Sequence, residues 1–292
     1  MHHFSIRDVE NLSGIKAHTL RIWEQRYSLC ICKRKESLHR YYDNEDLKHI
    51  LRIAYLYHNG YKVSRIAEMD KEEIIVMASK KIGDNYYDTY VNQLIESCMD
   101  YDQQRFEKVL DHTLVMMGLE KCILQVVYPF MEKIGLLWMT DHVLPAQEHF
   151  CSHLVQNKII AAIDRLNFQP KFKPHRFVLF APEGEEHELP LLLAQYLLKK
   201  QGVKTIFFGR NTSIQSLKYY CAHQPVSHLY FHLITNFTNC EAAGYIGKLS
   251  GQFPDKKIIA AGPVMKTIEG GVQDNVTVLH SLKEMPDFIR SL

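Results

Sequence analysis

Apolar and polar positions follow three successive rhythms along this chain, and each change of rhythm marks a boundary. In "FSIRDVENLSG" the apolar residues Ile6, Val9 and Leu12 recur at helical spacing and stop at Gly14. "IKAHTLRIWEQRY" repeats the spacing and places Leu20, Trp23 and Tyr27 on one side of a second short helix. A basic, hairpin-like segment, "CKRKESLHRYYDNEDL", then leads into a helix opened by an Asn44/Asp43 cap with acids near its start. "DLKHILRIAYLYHNGYKVSRIAEM" continues as an amphipathic helix, a stop at Gly60 and another short helix.

Acid-rich "MDKEEIIVMASKKIGDN" reads as a junction that closes at Gly83. Beyond it, long helical periodicity without strand alternation runs through "YDTYVNQLIESCMD", "DQQRFEKVLDHTLVMMG", "EKCILQVVYPFMEKIGLLWM" and "PAQEHFCSHLVQNKIIAAIDRL". Four helices of this length predict a four-helix bundle, with Pro145 at the first helical position of the last one. After "NFQPKFKPH" the rhythm changes again. Short apolar runs, "RFVLFAP", "KTIFFG", "SHLYFHL", "KIIAAG" and "VTVLH", alternate with helical stretches, which predicts a doubly wound, largely parallel sheet. The expected organisation is multidomain, α followed by α/β: a winged helix-turn-helix over 1–75, a four-helix bundle over 84–168 and a Rossmann-like doubly wound sheet over 175–292.

Composition refines this picture at three points. A chain of 292 residues with an ordinary apolar share has room for about two to three cores. No run of about eighteen apolar residues appears and the N-terminus lacks the pattern of a signal peptide, so a cytoplasmic protein without a membrane partner is expected. Seven cysteines at scattered spacing fit reduced thiols, and Cys30-x-Cys32 has no partner at metal-ligand spacing. The net charge of +2 says little, but its distribution says more. Lys16, Arg21, Arg26, Lys33, Arg34, Lys35 and Arg40 face only Glu24 and Glu36 between positions 16 and 40, a local basic surface of the kind that meets a polyanion.

Two short helices joined by a Gly-containing turn form the helix-turn-helix pattern, whose second helix enters the major groove. The order helix-turn-helix, wing, helix, with "TLRIWEQRY", "HRYYDNEDL" and "NGYKVSRIAEM" in register, closely resembles the winged DNA-binding domain of the MerR superfamily of bacterial transcription regulators over about the first seventy residues. The resemblance implies that Lys16, His18, Thr19 and Arg21 face base edges or phosphates of a double-stranded operator. It places His39 and Arg40 at the minor groove, where Arg exploits the enhanced negative potential. Of Tyr41 and Tyr42, one is expected on phosphate and the other in the core.

A second set of residues asks for a large cofactor. "WMTDHVLPAQEH" sets Trp138 ahead of Glu148 and His149, and "PEGEEHELP" puts Glu185 and His187 in the loop after the first strand of the sheet, where such sheets bind ligands. A bundle with W-x9-E-H followed by a sheet domain with E-x-H resembles the light-responsive CarH/LitR group of the MerR superfamily, which binds adenosylcobalamin. In that group the bundle caps the upper face of the corrinoid and the sheet domain holds the lower face. By this resemblance His187 ligates cobalt from below and Glu185 supports it. Trp138 and Glu148 attend the adenosyl group, and His149 takes the upper cobalt position after light breaks the Co–C bond. Imidazole suits a borderline transition metal, and a carboxylate on its other N–H fixes the tautomer.

Two positions depart from the group's pattern: Pro190 stands where glycine is expected in "EEHELP", and the paired glycines after the fourth strand read Ala261-Gly262. Proline adds a ring and removes a donor, which crowds the lower nucleotide tail. Ser213, with Leu217, stands near the group's intermediate Ser/Thr-x-Leu segment at altered spacing. His149 and His153 at i, i+4, with His142 nearby, also suit Zn, but no carboxylate or Cys completes the set. The expected protein is therefore not an enzyme but a regulator, a repressor, that self-associates as a dimer or tetramer under control of adenosylcobalamin and light. The competing reading keeps the DNA-binding scaffold with a sensor domain that answers to a protein partner or another ligand.

Overall fold

The computed structural model describes residues 4–34, 40–79, 86–139, 143–166, 174–234, 242–268 and 271–292. Packing divides the chain into two compact units, Met1–Leu154 and Val155–Leu292.

The first unit opens with α1 (Ile6–Ser13) and α2 (Ala17–Tyr27). A capping box starts α1: Ser5 N donates to Asp8 Oδ2 at 2.7 Å, and Asp8 N donates to Ser5 Oγ at 3.3 Å. The helix ends at Gly14, whose φ of 71° lies in the left-handed region that favours glycine, and a Cβ there would stand 3.4 Å from His58 Nε2. The wing is a two-stranded antiparallel ribbon, β1 (Lys33–Arg34) and β2 (Arg40–Tyr41), extended by a bridge between Phe4 and Tyr42. Then come α3 (Asn44–His58), α4 (Val63–Ala67) and α5 (Lys71–Ser79). Asp43 rather than Asn44 caps α3, through a second capping box with Asp46. Phe4, Val9, Leu20, Trp23, Tyr42 and Leu47 are buried in this segment.

Four helical arms follow: α6 (Tyr86–Met99), α7 (Gln103–Cys122), α8 (Tyr128–Met139) and α9 (Pro145–Asp164), with a π turn at Ile123–Val127 before α8. Gly118, at φ 77° and ψ 165°, breaks the helical path inside α7, near its end. The stretch Gln103–Leu137 is long and apolar enough to cross a membrane by length and composition, but it is interrupted there and packs against α6.

Charge fastens the winged segment to the arms. Lys48 and Arg52 of α3, one turn apart, meet Asp100 at 2.6 Å and Glu96 at 2.7 Å, and Arg105 of α7 adds a second guanidinium to Glu96 at 2.6 Å. The Lys48 and Glu96 side chains are only 7% and 4% exposed, so each of these two buried charges has an opposite partner, although Asp100 and Arg105 remain in contact with water.

The second unit alternates β3 (Arg176–Pro182), α10 (Leu189–Lys200), β4 (Lys204–Thr212), α11 (Ile214–His223), β5 (His228–His232), α12 (Ala242–Gln252), β6 (Lys257–Ala261), β7 (Val276–Leu279) and α13 (Glu284–Ser291), with a 3-10 turn at Pro263–Thr267. All neighbouring strands are parallel, in the order β4-β3-β5-β6-β7. The core includes Phe180, Leu217, Leu229, Phe231, Ile246 and Ile258. From β3 the chain adds β4 on one side and then β5, β6 and β7 on the other, so the topological switch point, where sheets of this order bind ligands, lies at the carboxyl ends of β3 and β5.

Candidate functional site

The expected DNA-facing residues cluster at the start of α2. Lys16, His18 and Arg21 are exposed and Thr19 is half-buried, while Leu20 and Trp23 on the other side of the helix are buried. Lys16 reaches Glu10 at 3.1 Å and keeps 81% of its side chain exposed. His39 lies outside the described residues. Arg40 is not extended: its Nε donates to Glu24 Oε2 at 3.3 Å, and Cys32 Sγ and N meet Oε1 of the same carboxylate at 3.0 and 3.4 Å. Glu24 therefore ties α2 to both sides of the wing. Burial works to raise this carboxyl, but the bonds from Cys32 and Arg40 outweigh it and hold the group below its ordinary range. Tyr42 is the core tyrosine and Tyr41 is half-buried.

At the end of the bundle Trp138 stands in the last turn of α8; its side chain lies outside the described part of the structure. Glu148 and His149 occupy the first turn and a half of α9, whose start is pinned by buried Gln147. Its Oε1 accepts from Leu144 N at 2.9 Å and its Nε2 donates to Met99 O at 3.3 Å. His149 Nε2 stands 3.7 Å from Glu148 Oε2, beyond hydrogen-bond range, with 68% of its side chain exposed. Leu136 and Leu144 are exposed on the adjoining segments, an apolar surface beside an acid and an imidazole. His153 is exposed on the same helix, and His142 lies outside the described residues. Among the described residues no group of three or more His, Cys, Asp and Glu is set to hold a metal ion. The six described cysteines are free thiols, and Cys240 lies outside the described residues.

In the sheet unit Glu185 and His187 form one construction. The Glu185 side chain is 1% exposed; its Oε1 accepts from His187 Nδ1 at 2.6 Å and from His187 N at 3.0 Å, and its Oε2 accepts from Ile234 N at 2.8 Å. Nδ1 is thereby the protonated nitrogen, and the acceptor nitrogen of the ring is Nε2. Around this pair Gly184 N donates to Asn211 Oδ1 at 3.0 Å, Asn211 Nδ2 donates to Glu186 at 2.7 Å, and Arg210 N donates to Glu188 at 3.2 Å. The loop after β3 is thus pinned to the end of β4.

The two departures at glycine positions have local explanations. Pro190 is the second residue of α10, where a missing N–H leaves no helical bond unmade, and it is buried. Ala261 ends β6 with its methyl group buried, whereas Gly262 has φ 118° and a Cβ there would fall 2.1 Å from Leu233 O. Of the pair, the position that requires glycine holds one. Ser213 caps α11, accepting from Ser216 N at 3.2 Å, and Leu217 is fully buried in the core.

His232 was not anticipated. It ends β5 with 1% of its surface exposed, and among the described residues neither ring nitrogen has a hydrogen-bond partner. Burial pushes its pKa down to about 4, with the nearby Glu185 charge opposing and His187 adding to the shift. The available signal was a histidine interrupting the apolar run "HLYFHL" in a central strand.

Comparison with known proteins fits both halves of this description. Residues 4–73 match the MerR HTH family regulatory protein, and residues 90–162 match the B12 binding domain, a match that covers the helical arms and ends before β3. The HTH-type transcriptional repressor CarH of Myxococcus xanthus is 24% identical over 221 residues, 73% of this chain and 73% of its own. The HTH-type transcriptional repressor CarA of the same organism is 26% identical over 220 residues, 74% and 71% of the two chains. Among solved structures, the Methanosarcina barkeri monomethylamine corrinoid protein shares the fold with a TM-score of 0.51 at 13% identity, over 70% of this chain and 96% of that one. The chain is thus a MerR-type helix-turn-helix protein with a B12 binding domain, homologous to the CarH and CarA repressors.

Proposed function

We propose that this chain is a sequence-specific repressor whose hold on operator DNA and whose self-association are set by adenosylcobalamin and light. The observation that carries the reading is the Glu185–His187 pair. A buried carboxylate at 2.6 Å fixes the tautomer and heading of an imidazole at a sheet's carboxyl end, the second contact that metal-binding histidines regularly need. One imidazole is the donor that a cobalt corrinoid would ask of a protein, and the buried ring of His232 near this pair, without a hydrogen-bond partner among the described residues, would suit a ligand that carries polar groups. These residues fit the cofactor.

In this reading His187 would hold the cofactor through Nε2, and Glu185 would keep its ring oriented. Trp138, Glu148 and His149 would attend the adenosyl group, with Glu148 hydrogen-bonding it and His149 available to cobalt once light has broken the Co–C bond. Gly262 keeps the backbone low beside the ligand, and Ser213 contributes through the α11 cap alone. When bound, adenosylcobalamin supplies a light-labile Co–C bond. Lys16, His18, Thr19 and Arg21 read the major groove and Arg40 reaches the minor groove by exchanging Glu24 for the negative potential of DNA. The chain acts by binding rather than catalysis, on a cytoplasmic operator.

Dark titration of the full chain with adenosylcobalamin tests the reading. Uptake with the spectrum of histidine-ligated cobalt, lost in His187→Ala, is the expected result, together with operator binding that falls on illumination. Failure to take up any cobalamin at high micromolar concentration, with operator binding intact, replaces it by a regulator that answers to another signal.

A further inference from the structure

Helix α3 takes part in two joints. At its C-terminal end His58 Nε2 donates to Ser13 O at 2.9 Å, and the Tyr57 ring meets Trp23 of α2 edge-on with ring centroids 4.9 Å apart. These contacts fix α1 and α2, the helix-turn-helix, to α3. Nearer its start, Lys48 Nζ donates to both oxygens of Asp100, at 2.6 and 2.8 Å, and Arg52 Nη2 donates to Glu96 Oε2 at 2.7 Å. Glu96 sits in the last turn of α6 and Asp100 directly after it, so two cations one turn apart meet two carboxylates at matching spacing, a joint that allows one register. The same turn is held within the bundle: Arg105 of α7 shares Glu96 at 2.6 Å, and Gln147 of α9 donates to Met99 O at 3.3 Å. Apolar contacts would join two helices without desolvating any charge; what buried ion pairs add is a single geometry. Side chains, and not the connecting chain alone, thus tie the recognition helix through α3 to the bundle arms.

We infer that Lys48 and Arg52 are specificity-determining residues for the operator as a whole: by docking α3 on the end of α6 they fix the direction in which α2 leaves the bundle, and so the spacing between half-sites that the assembled protein accepts. The inference rests on the proposed binding of an operator by a self-associated chain. One recognition helix reads one half-site, and each added base pair carries the next half-site about 3.4 Å along the duplex and about 35° around it. A helix-turn-helix on a flexible tether follows such changes with little loss, whereas one docked at two points does not. Neither cation is placed to act on DNA itself, since their side chains are 7% and 18% exposed and engaged with carboxylates.

The full-length protein is first used to select its half-site from a random duplex library. Duplexes with two such half-sites, set apart in one-base-pair steps across one helical turn, are then titrated with wild type and with the double variant Lys48→Met, Arg52→Met, with adenosylcobalamin in the dark and without it, alongside light scattering. The two substitutions orphan no buried charge, because Glu96 retains Arg105 and Asp100 is half-exposed. Wild type should bind one spacing about ten-fold more tightly than spacings two base pairs shorter or longer. The variant should bind a single half-site as wild type does and show the same mass, but differ among spacings by less than about three-fold. Asp100→Ala, which leaves Lys48 with Glu45, should fall between the two and carries the test if the double variant melts early. A variant with the wild-type profile, a wild type indifferent to spacing, or a loss of single-half-site affinity in the variants overturns the inference and leaves the joint as a contact of the fold. A wild type that binds one half-site at a time and scatters as a monomer in both conditions overturns self-association itself, and the inference with it.

Discussion

Two glutamate–histidine pairs stand in this chain, and they are built to opposite designs. Glu185 and His187 are joined at 2.6 Å, with the carboxylate 1% exposed and its second oxygen on a backbone amide. Glu148 and His149 are neighbours in sequence yet stand 3.7 Å apart, with the imidazole 68% exposed. The first geometry exists before any ligand arrives, because burial makes every contact of the carboxylate obligatory. The second leaves two side chains on a rigid helix, free to take whatever geometry a partner imposes. The first pair is thus tied into the fold and the second is not.

The contrast is sharpest in acid. His228 and His232 of the sheet unit are buried and pushed down to about 4, chiefly by burial, whereas an unfolded histidine titrates near 6.5. The ring of His228 stacks on Phe177 at 4.2 Å, and His175 and Lys257 add to its shift. Both rings are neutral in the folded protein while the unfolded chain takes up protons. Stability is therefore full above about pH 6.5 and lost as pH falls toward 4, by about 3 kcal/mol for each ring. Urea unfolding of the ligand-free protein followed from pH 7 to 4 should show this loss, and His232→Leu should remove about half of it. A flat profile would mean that these rings are solvated.

Next in size is the loss of the built pair. Glu185→Ala removes the acceptor of Ile234 N and of His187 Nδ1, two partly exposed donors, and should lower stability by about 2 kcal/mol. Cobalamin affinity should fall about ten- to a hundred-fold, as it does when the partner of a ligating histidine is removed. Stability measured by denaturation and affinity by dialysis must both move; a change in affinity alone would show that Glu185 is not part of the fold.

How much of this was legible in the sequence follows from the same distinction. The five strands and the bundle arms were readable because apolar periodicity records burial, and the glutamate and histidine of "EGEEHELP" because their types name their chemistry. Three features were not. Whether a Glu and a His two or one residues apart touch depends on the backbone between them, which periodicity does not encode. Arg40 reads as a free cation, but Glu24, sixteen residues earlier, meets it in space. The packing of the winged segment and the bundle arms into one unit rests on Lys48, Arg52, Glu96 and Asp100, four charged residues that read as solvated surface until α3 and α6 are placed side by side. His232 shows the reverse case, a polar residue in an apolar strand that was visible and passed over.

The two arginines proposed to face DNA repeat the contrast of held and loose groups. Arg21 is exposed, while Arg40 is committed to Glu24 with 27% of its side chain exposed. Arg21→Ala should weaken operator binding by about 1 to 3 kcal/mol and lower the salt dependence. Arg40→Ala removes a brace of the wing together with the DNA contact proposed for it, so it should match that loss and Glu24→Ala should share part of it. Gel-shift titrations across salt concentrations separate the cases: if Glu24→Ala binds the operator as tightly as wild type, the brace contributes nothing.

The smallest effect is expected at the loose pair. The Glu148 side chain is 26% exposed, and its gap of 3.7 Å to His149 is too long for a hydrogen bond, so an exposed interaction of this kind contributes between zero and about 1 kcal/mol. Glu148→Ala and His149→Ala should each leave ligand-free stability within about 0.5 kcal/mol of wild type, because neither group is tied to the fold. Their consequences belong to the loaded protein. Glu148→Ala should speed the thermal loss of the adenosyl form in the dark, and His149→Ala should spare dark binding but change the spectrum of the illuminated product. Urea titrations without cofactor, paired with absorbance spectra before and after light, measure both sides. A ligand-free loss of about 2 kcal/mol or more in either variant would place this pair with Glu185 and His187, and the contrast between the two pairs would no longer hold.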